Sequence, residues 1–286
     1  MERRIFVKKI LIPIVFILTA AVSLPAAGIT GAHGELGVKY EMNPDDSGFV
    51  FDGLTLELAV PLSPDEGIEG NLQFNGGPPF TAYYYRYHIL KSYDELHLGR
   101  FVADWSSGNS LSLTGSLAGQ EIDRYSTGTG LKYRTTLEKA LLVSSVTTTA
   151  RQSRTMLSGR LIFQPAQQWQ AGVALAALDL FSDDPRQAVQ IDAVYTGESF
   201  TVLGEAVISN LNSGTGDYAS GFYIEGSYPF SPACTGYAGL FFAEELNRDL
   251  LVAGIRHRPV DHITLQAEAV NSRDNWEITL RFGVRF

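Results

Sequence analysis

The chain has 286 residues, 45% hydrophobic and 11% aromatic, with 22 basic against 31 acidic side chains and a formal net charge of -9. This acidic balance argues against nucleic acid as a partner, because phosphate binding needs clustered Lys and Arg. The single cysteine, Cys234, excludes an internal disulfide, so stability must come from another source.

The N-terminus carries Arg3, Arg4, Lys8 and Lys9, an apolar run from Ile10 to Val22, and then small residues around Ala26, Ala27, Gly28, Gly31 and Ala32. A basic start, a short apolar core and a small-residue exit make a secretory signal peptide. We expect residues 1–32 to be this leader, with cleavage between Ala26 and Ala32, and residues 33–286 to form the mature domain. The apolar run falls short of the roughly 20 residues a membrane helix needs, and no other such run follows. Removing residues 1–27 takes the balance from 22 against 31 to 18 against 30, so the mature chain carries -12.

From Glu35 onward the chain reads as short extended segments broken by Gly, Asn, Asp, Ser and Pro clusters, the pattern of an all-β protein. The predicted strands of the first half are 35–42, 49–60, 68–75, 81–90, 95–105, 130–138, 140–150 and 156–164. Those of the second half are 168–178, 188–196, 199–209, 218–229, 234–243, 250–258, 262–271 and 276–286. That makes about sixteen, with twelve or fourteen open if some runs are split too finely.

Alternation then sorts the faces. In the fourth strand Tyr83, Tyr85, Tyr87 and Ile89 form one face and Ala82, Tyr84, Arg86 and His88 the other; we expect the first to be apolar-facing and the second wet. In the sixth, Leu131, Tyr133, Thr135 and Leu137 oppose Lys132, Arg134 and Thr136. Ile191, Ala193 and Tyr195 oppose Gln190, Asp192 and Thr196, and Phe222, Ile224, Gly226 and Tyr228 oppose Tyr223, Glu225 and Ser227.

The last strand is the clearest. Trp276, Ile278, Leu280, Phe282, Val284 and Phe286 lie on one face, and Glu277, Thr279, Arg281, Gly283 and Arg285 on the other. Its length fits the roughly 9 to 11 residues of a tilted strand crossing a bilayer, and an edge this apolar would aggregate in water. We read the fold class as all-β, a transmembrane antiparallel β-barrel with lipid outside, polar groups inside and a closed ladder that satisfies the backbone.

This final strand, ending in Phe286, resembles the C-terminal signature of bacterial outer-membrane proteins, and the alternating pattern of the whole mature chain is similar to that of bacterial porins. The resemblance implies short periplasmic turns, matched by Lys91 to Asp94, Gly197 with Glu198, and Pro259 to Asp261. It implies longer outer connections, matched by Asp179 to Gln187, Asn210 to Asp217 and Ser106 to Thr129. It further implies that the long connection after the fifth strand is a constriction loop, carrying Glu121, Asp123 and Arg124, and that a homotrimer is plausible. An extra hairpin built on Leu111, Leu113 and Leu117 is the alternative for that stretch.

Strand phase assigns lumen-facing charge. The basic candidates are Arg86, Arg100, Arg134, Arg160 and Arg281, with Arg100 requiring a bulge at Gly99 to turn inward. The acidic candidates are Glu57, Asp192, Glu205, Glu225, Glu268 and Glu277. Walls of opposite charge set ion preference and orient solutes, although the same charges could simply be solvated in a wide lumen. With Lys91 to Asp94 as a tight turn, His88 faces His97, but two imidazoles without a further ligand do not make a metal site. We therefore expect no metal and no cofactor.

Nothing in the sequence places a serine nucleophile beside a histidine base, as a lipid-hydrolysing barrel would need, and no glycine-rich phosphate loop is present. The expectation is a non-enzymatic outer-membrane porin, in contact with membrane lipids and passing small hydrophilic solutes and ions by diffusion. A barrel enzyme acting on lipid, or a non-conducting barrel with a structural or adhesive role, is the competing reading.

Overall fold

A computed structural model describes residues 31–42, 47–73, 80–90, 94–102, 127–149, 154–211, 217–243, 248–272 and 275–285. Sixteen strands account for most of them. In order they are β1 (Gly31–Met42), β2 (Ser47–Ser63), β3 (Glu66–Gln73), β4 (Phe80–Tyr87), β5 (Asp94–Val102), β6 (Thr127–Leu137), β7 (Ala140–Thr149) and β8 (Thr155–Ala166). There follow β9 (Trp169–Leu178), β10 (Arg186–Thr196), β11 (Thr201–Ser209), β12 (Ala219–Ser231), β13 (Cys234–Ala243), β14 (Arg248–Val260), β15 (Ile263–Ser272) and β16 (Asn275–Arg285). Each corresponds to one predicted segment.

Every strand pairs antiparallel with its sequence neighbours, and β1 closes on β16 from Glu35↔Arg285 to Met42↔Ile278, giving a closed barrel. Closure leaves no edge, so the ladder can cross a bilayer with its backbone groups paired. The strands turn back through residues 64–65, 138–139, 167–168, 232–233 and 261–262 at one end, the turn end. Those joined by residues 103–126, 179–185 and 210–218 meet at the other, the loop end. The long connections thus share one side, as the porin resemblance implied.

Register identifies the two faces. The row Ile68, Tyr84, Leu98, Leu131, Val146, Leu157 crosses six strands with partly to fully exposed side chains. The adjacent row Gly67, Tyr85, His97, Lys132, Ser145, Ser158, Ala176 is polar at its centre and mostly buried. The first row faces out and the second in. Leu161, Val173, Leu175, Val189, Ile191, Phe222, Ile224, Leu240 and Leu251 continue the outward apolar belt, with Ile278, Leu280 and Phe282 of β16. At the turn end that belt meets aromatic rings. Trp169 lies 4.9 Å from Tyr195, Tyr195 5.5 Å from Phe200, and Tyr228 5.5 Å from Phe230. Such girdles suit an interface, where a ring's body is apolar and its edge wet.

One departure from expectation concerns the composition of the interior. The inward face of β8 to β14 is not polar throughout: Met156, Ala174, Leu178, Ala188, Val207, Phe241, Leu250 and Val252 are buried there as one apolar cluster. Much of it lies toward the loop end. Alternation alone hides this, because toward the loop end apolar residues stand on the inward face as well as the outward one and leave no contrast there.

Candidate functional site: the lumen wall

The inward charges fall into two groups. The first is carried by β3 to β6. Glu95, His97 and Gly99 of β5 lie opposite Arg134, Lys132 and Gly130 of β6 and opposite Tyr87, Tyr85 and Tyr83 of β4. The three tyrosines therefore face the lumen, and the expectation for β4 was inverted. Tyr83 donates to Glu69 Oε2 at 2.5 Å and stacks on His97 at 4.7 Å. His97 Nε2 pairs with Glu95 Oε1, and Arg134 reaches Glu95 at 3.9 Å. The Lys132 ammonium lies 5.3 Å from the Phe101 ring centroid and 6.0 Å from that of Tyr83, at cation–π range.

The inversion moves two expected residues out of the lumen. Arg86 shares a row with Glu66 and Leu96 on the outward face, beside Tyr84, whose hydroxyl donates to Glu66 Oε2 at 2.5 Å. It is the penultimate residue of β4, at the turn end, so its exposed guanidinium can extend into interfacial water while its stem covers apolar surface. Arg100 is also outward. The ladder passes through Gly99 without a shift, pairing Gly99 with Tyr83 and Gly130, and places Arg100 in a row with Ala82, Thr129, Thr148 and Thr155. Gly99 has φ +138°, and a Cβ there would lie 2.4 Å from the Ala82 carbonyl oxygen, so both conformation and space call for glycine. The glycine serves close strand approach, and no bulge forms. His88 does not face His97 either. It turns away from the ladder with φ 56°, while His97 pairs with Tyr85, because residues 88–93 form a longer connection than the one expected.

The second group spans β8 to β16 and is more deeply enclosed. Arg160 Nη2 donates to Asp192 Oδ2 at 2.7 Å, across the intervening β9, where Gly172 leaves room for the pair. Asp192 faces Glu205 directly, and Glu205 faces Tyr223. Tyr223 donates to Glu225 at 2.5 Å, and Tyr237 donates to Glu268 at 2.7 Å and accepts from Gln266 Nε2 at 2.7 Å. Arg256 Nε donates to Gln266 Oε1 at 3.2 Å, and Arg281 is register-paired with Gln266 on the same face. Arg160, Asp192, Glu205, Glu225 and Glu268 are all buried. Glu57, opposite His33 and Asn71, and Glu277, opposite Val270, also lie on the inward face and are exposed. Glu121, Asp123 and Arg124 of the expected constriction loop lie outside the described residues.

Sequence reading missed Arg256, Tyr237, Gln266, Glu69 and Glu95 as members of these walls. Counting back from the turn at 261–262 would have set Arg256 against Ala267; the register shifts between His257 and Val260, and only that shift brings it opposite Gln266.

With this geometry established, solved structures place the fold. OmpT with loop L8 deleted, an outer membrane protein of Vibrio cholerae, matches with TM-score 0.67 and 10% identity over 91% of this chain and 100% of its own. The outer membrane channel DcaP of Acinetobacter baumannii matches with TM-score 0.65 and 13% identity over 91% and 98%. The anion-selective porin of Comamonas acidovorans matches with TM-score 0.64 and 11% identity over 90% and 99%. This chain has the porin fold. No protein-family profile and no curated protein matches it, so the likeness lies in architecture, not in sequence.

Proposed function

We propose that the chain is an outer-membrane porin, a barrel through which small hydrophilic solutes and ions diffuse passively, without cofactor or chemical step. The observation that carries this reading is the sorting of faces. Acidic and basic side chains line the inside, Lys132, Arg134, Arg256 and Arg281 with Glu95, Asp192, Glu205, Glu225 and Glu268, whereas the outward belt is apolar with an aromatic girdle. A lumen wall that bears charge can bias which ion passes. The turn end faces the periplasm in this reading.

Residues 1–32 are proposed as the cleaved leader. Cleavage after Ala26 leaves β1 whole, whereas cleavage after Ala32 removes its first two residues, Gly31 and Ala32. A homotrimer is supported by the trimer form in which Vibrio cholerae OmpT is described. The test is a planar bilayer with the purified protein in potassium chloride. Stepwise current increments are the expected result, and a silent bilayer with a correctly folded, heat-modifiable barrel would overturn the channel reading.

A further inference from the structure

Tyr85 and Tyr87 stand out among the lumen residues because ring surface, normally buried or membrane-facing, is presented to a polar interior. Tyr87 is 37% exposed, and its ring centroid lies 5.2 Å from that of Tyr85. Tyr85 leans across β3 with its hydroxyl over Gly67, where a Cβ would come within 2.6 Å of that oxygen. The absence of a side chain at Gly67 is what lets the ring lie down on the wall. Tyr83 is used differently, held between Glu69 and His97.

In the row containing Tyr87, Glu95 comes next and Arg134 follows it. Two strand spacings separate the Tyr87 and Arg134 backbones, roughly 9.5 Å, a gap that the long arginine side chain narrows toward a carboxylate on a ring lying over Tyr87. The surrounding charges differ in availability. The Glu95 side chain is 18% exposed and bound to His97, and Glu69 accepts from Tyr83. The Arg134 side chain is 45% exposed and touches Glu95 only at 3.9 Å. A guanidinium fork matches a carboxylate geometrically, and an aromatic face favours offset stacking with another flat ring.

We propose that this part of the wall is a binding site for a planar aromatic carboxylate, its ring stacked on the exposed Tyr87, the Tyr85 ring, inclined at 53° to that of Tyr87, against its edge, and its carboxylate held by Arg134. The site rests on the porin reading and deepens it: solutes of this class pause at the turn end of the lumen on their way through.

The experiment uses four probes on the folded protein in detergent, followed by saturation-transfer NMR and titration: benzoate, cyclohexanecarboxylate, benzyl alcohol and benzylamine. Benzoate is expected to bind at least tenfold more tightly than the other three. Tyr85→Ala with Tyr87→Ala, and separately Arg134→Ala, should each weaken benzoate about tenfold, with the arginine variant erasing the preference over benzyl alcohol. Should the tyrosine variant fail to fold, Tyr85→Leu with Tyr87→Leu, which keeps apolar volume and removes the aromatic faces, takes its place with the same expected direction. Equal binding of benzoate and cyclohexanecarboxylate would overturn stacking, and tighter binding of benzylamine would overturn the anionic assignment. The two readings separate cleanly. A conducting wild-type barrel that ignores benzoate sinks this proposal alone, whereas a barrel that never conducts sinks the porin reading and the solute site with it.

Discussion

The two charged walls of the lumen carry similar residue types under opposite conditions. On β3 to β6 the Arg134 side chain is 45% exposed and reaches its partner at 3.9 Å. On β8 to β10 the Arg160 side chain is 1% exposed and donates to Asp192 at 2.7 Å. A charge enclosed at contact distance by its counter-charge has little field left for a passing ion, while an exposed one keeps most of its reach. In the proposed channel, the enclosed wall therefore reads as part of the barrel's own cohesion and the open wall as the part that would meet solute. Glu225 and Glu268, buried and accepting from Tyr223 and Tyr237, belong with the enclosed wall.

The largest effect that tests this division comes from Asp192. Asp192→Ala leaves the Arg160 guanidinium in a desolvated site without its carboxylate, a loss of about 3–5 kcal/mol for a buried pair broken on one side. The expected outcome is a clear drop in the urea midpoint of the heat-modifiable barrel, measured by gel shift. Arg160→Met combined with Asp192→Leu should recover most of it, because similar volume without charge needs no pairing. If the single variant is as stable as the parent, the pair is wet and the division between walls collapses. A milder strain of the same pair is Gly172→Ala. Its new Cβ would sit 2.5 Å from Asp192 Oδ2 and 2.8 Å from Arg160 Nη2, so about 1–3 kcal/mol of overpacking is expected in the same gel assay. Gly204→Ala, where nothing lies within 4 Å of the added carbon, is the control expected to change little.

How far these walls can be read from sequence depends on contrast between faces. On β16 six apolar residues alternate with polar ones, and the phase it implies agrees with the structure at Ile278, Leu280 and Phe282. On β10 and β12 the contrast of Ile191 with Asp192, and of Ile224 with Glu225, is equally sharp, and those acidic residues lie on the buried inward face. β4 has no such contrast, since Tyr83, Tyr84, Tyr85 and Tyr87 put tyrosine on both faces and Arg86 alone tips the choice. A residue near a strand end escapes the rule that drives it inward, because water is within reach of its long side chain. Gly99 misled for a related reason: a glycine in a strand signals either a bulge or a close backbone approach, and only the register distinguishes them. The apolar inward patch was illegible because toward the loop end, as at Leu178 beside Ala177 and Ala188 beside Val189, small and aliphatic residues occupy both faces.

The open wall is tested by Arg134→Ala. Removing an exposed cation from the lumen should move the reversal potential in a potassium chloride gradient toward cation preference while the unfolding free energy from urea titration stays within about 0.5 kcal/mol of the parent, as for a surface substitution. An unchanged reversal potential would mean that the exposed charge is screened in a wide lumen, the alternative that sequence alone left open.

The smallest effect, and the sharpest check on the faces, belongs to Arg86→Ala. Sequence phase put Arg86 beside Arg134 in one basic wall, so the two variants would then shift selectivity alike. Register puts Arg86 on the outward face between Glu66 and Leu96, separated from the lumen by the β4 backbone, and its replacement should leave the reversal potential where it was. A shift comparable to that of Arg134→Ala would mean that β4 is turned over. Tyr83, Tyr85 and Tyr87 would then face lipid, and the inward tyrosine site would be lost together with the basic contrast between Arg86 and Arg134. The parent reversal potential with Arg86→Ala and a displaced one with Arg134→Ala is a pair of results that only the observed register produces.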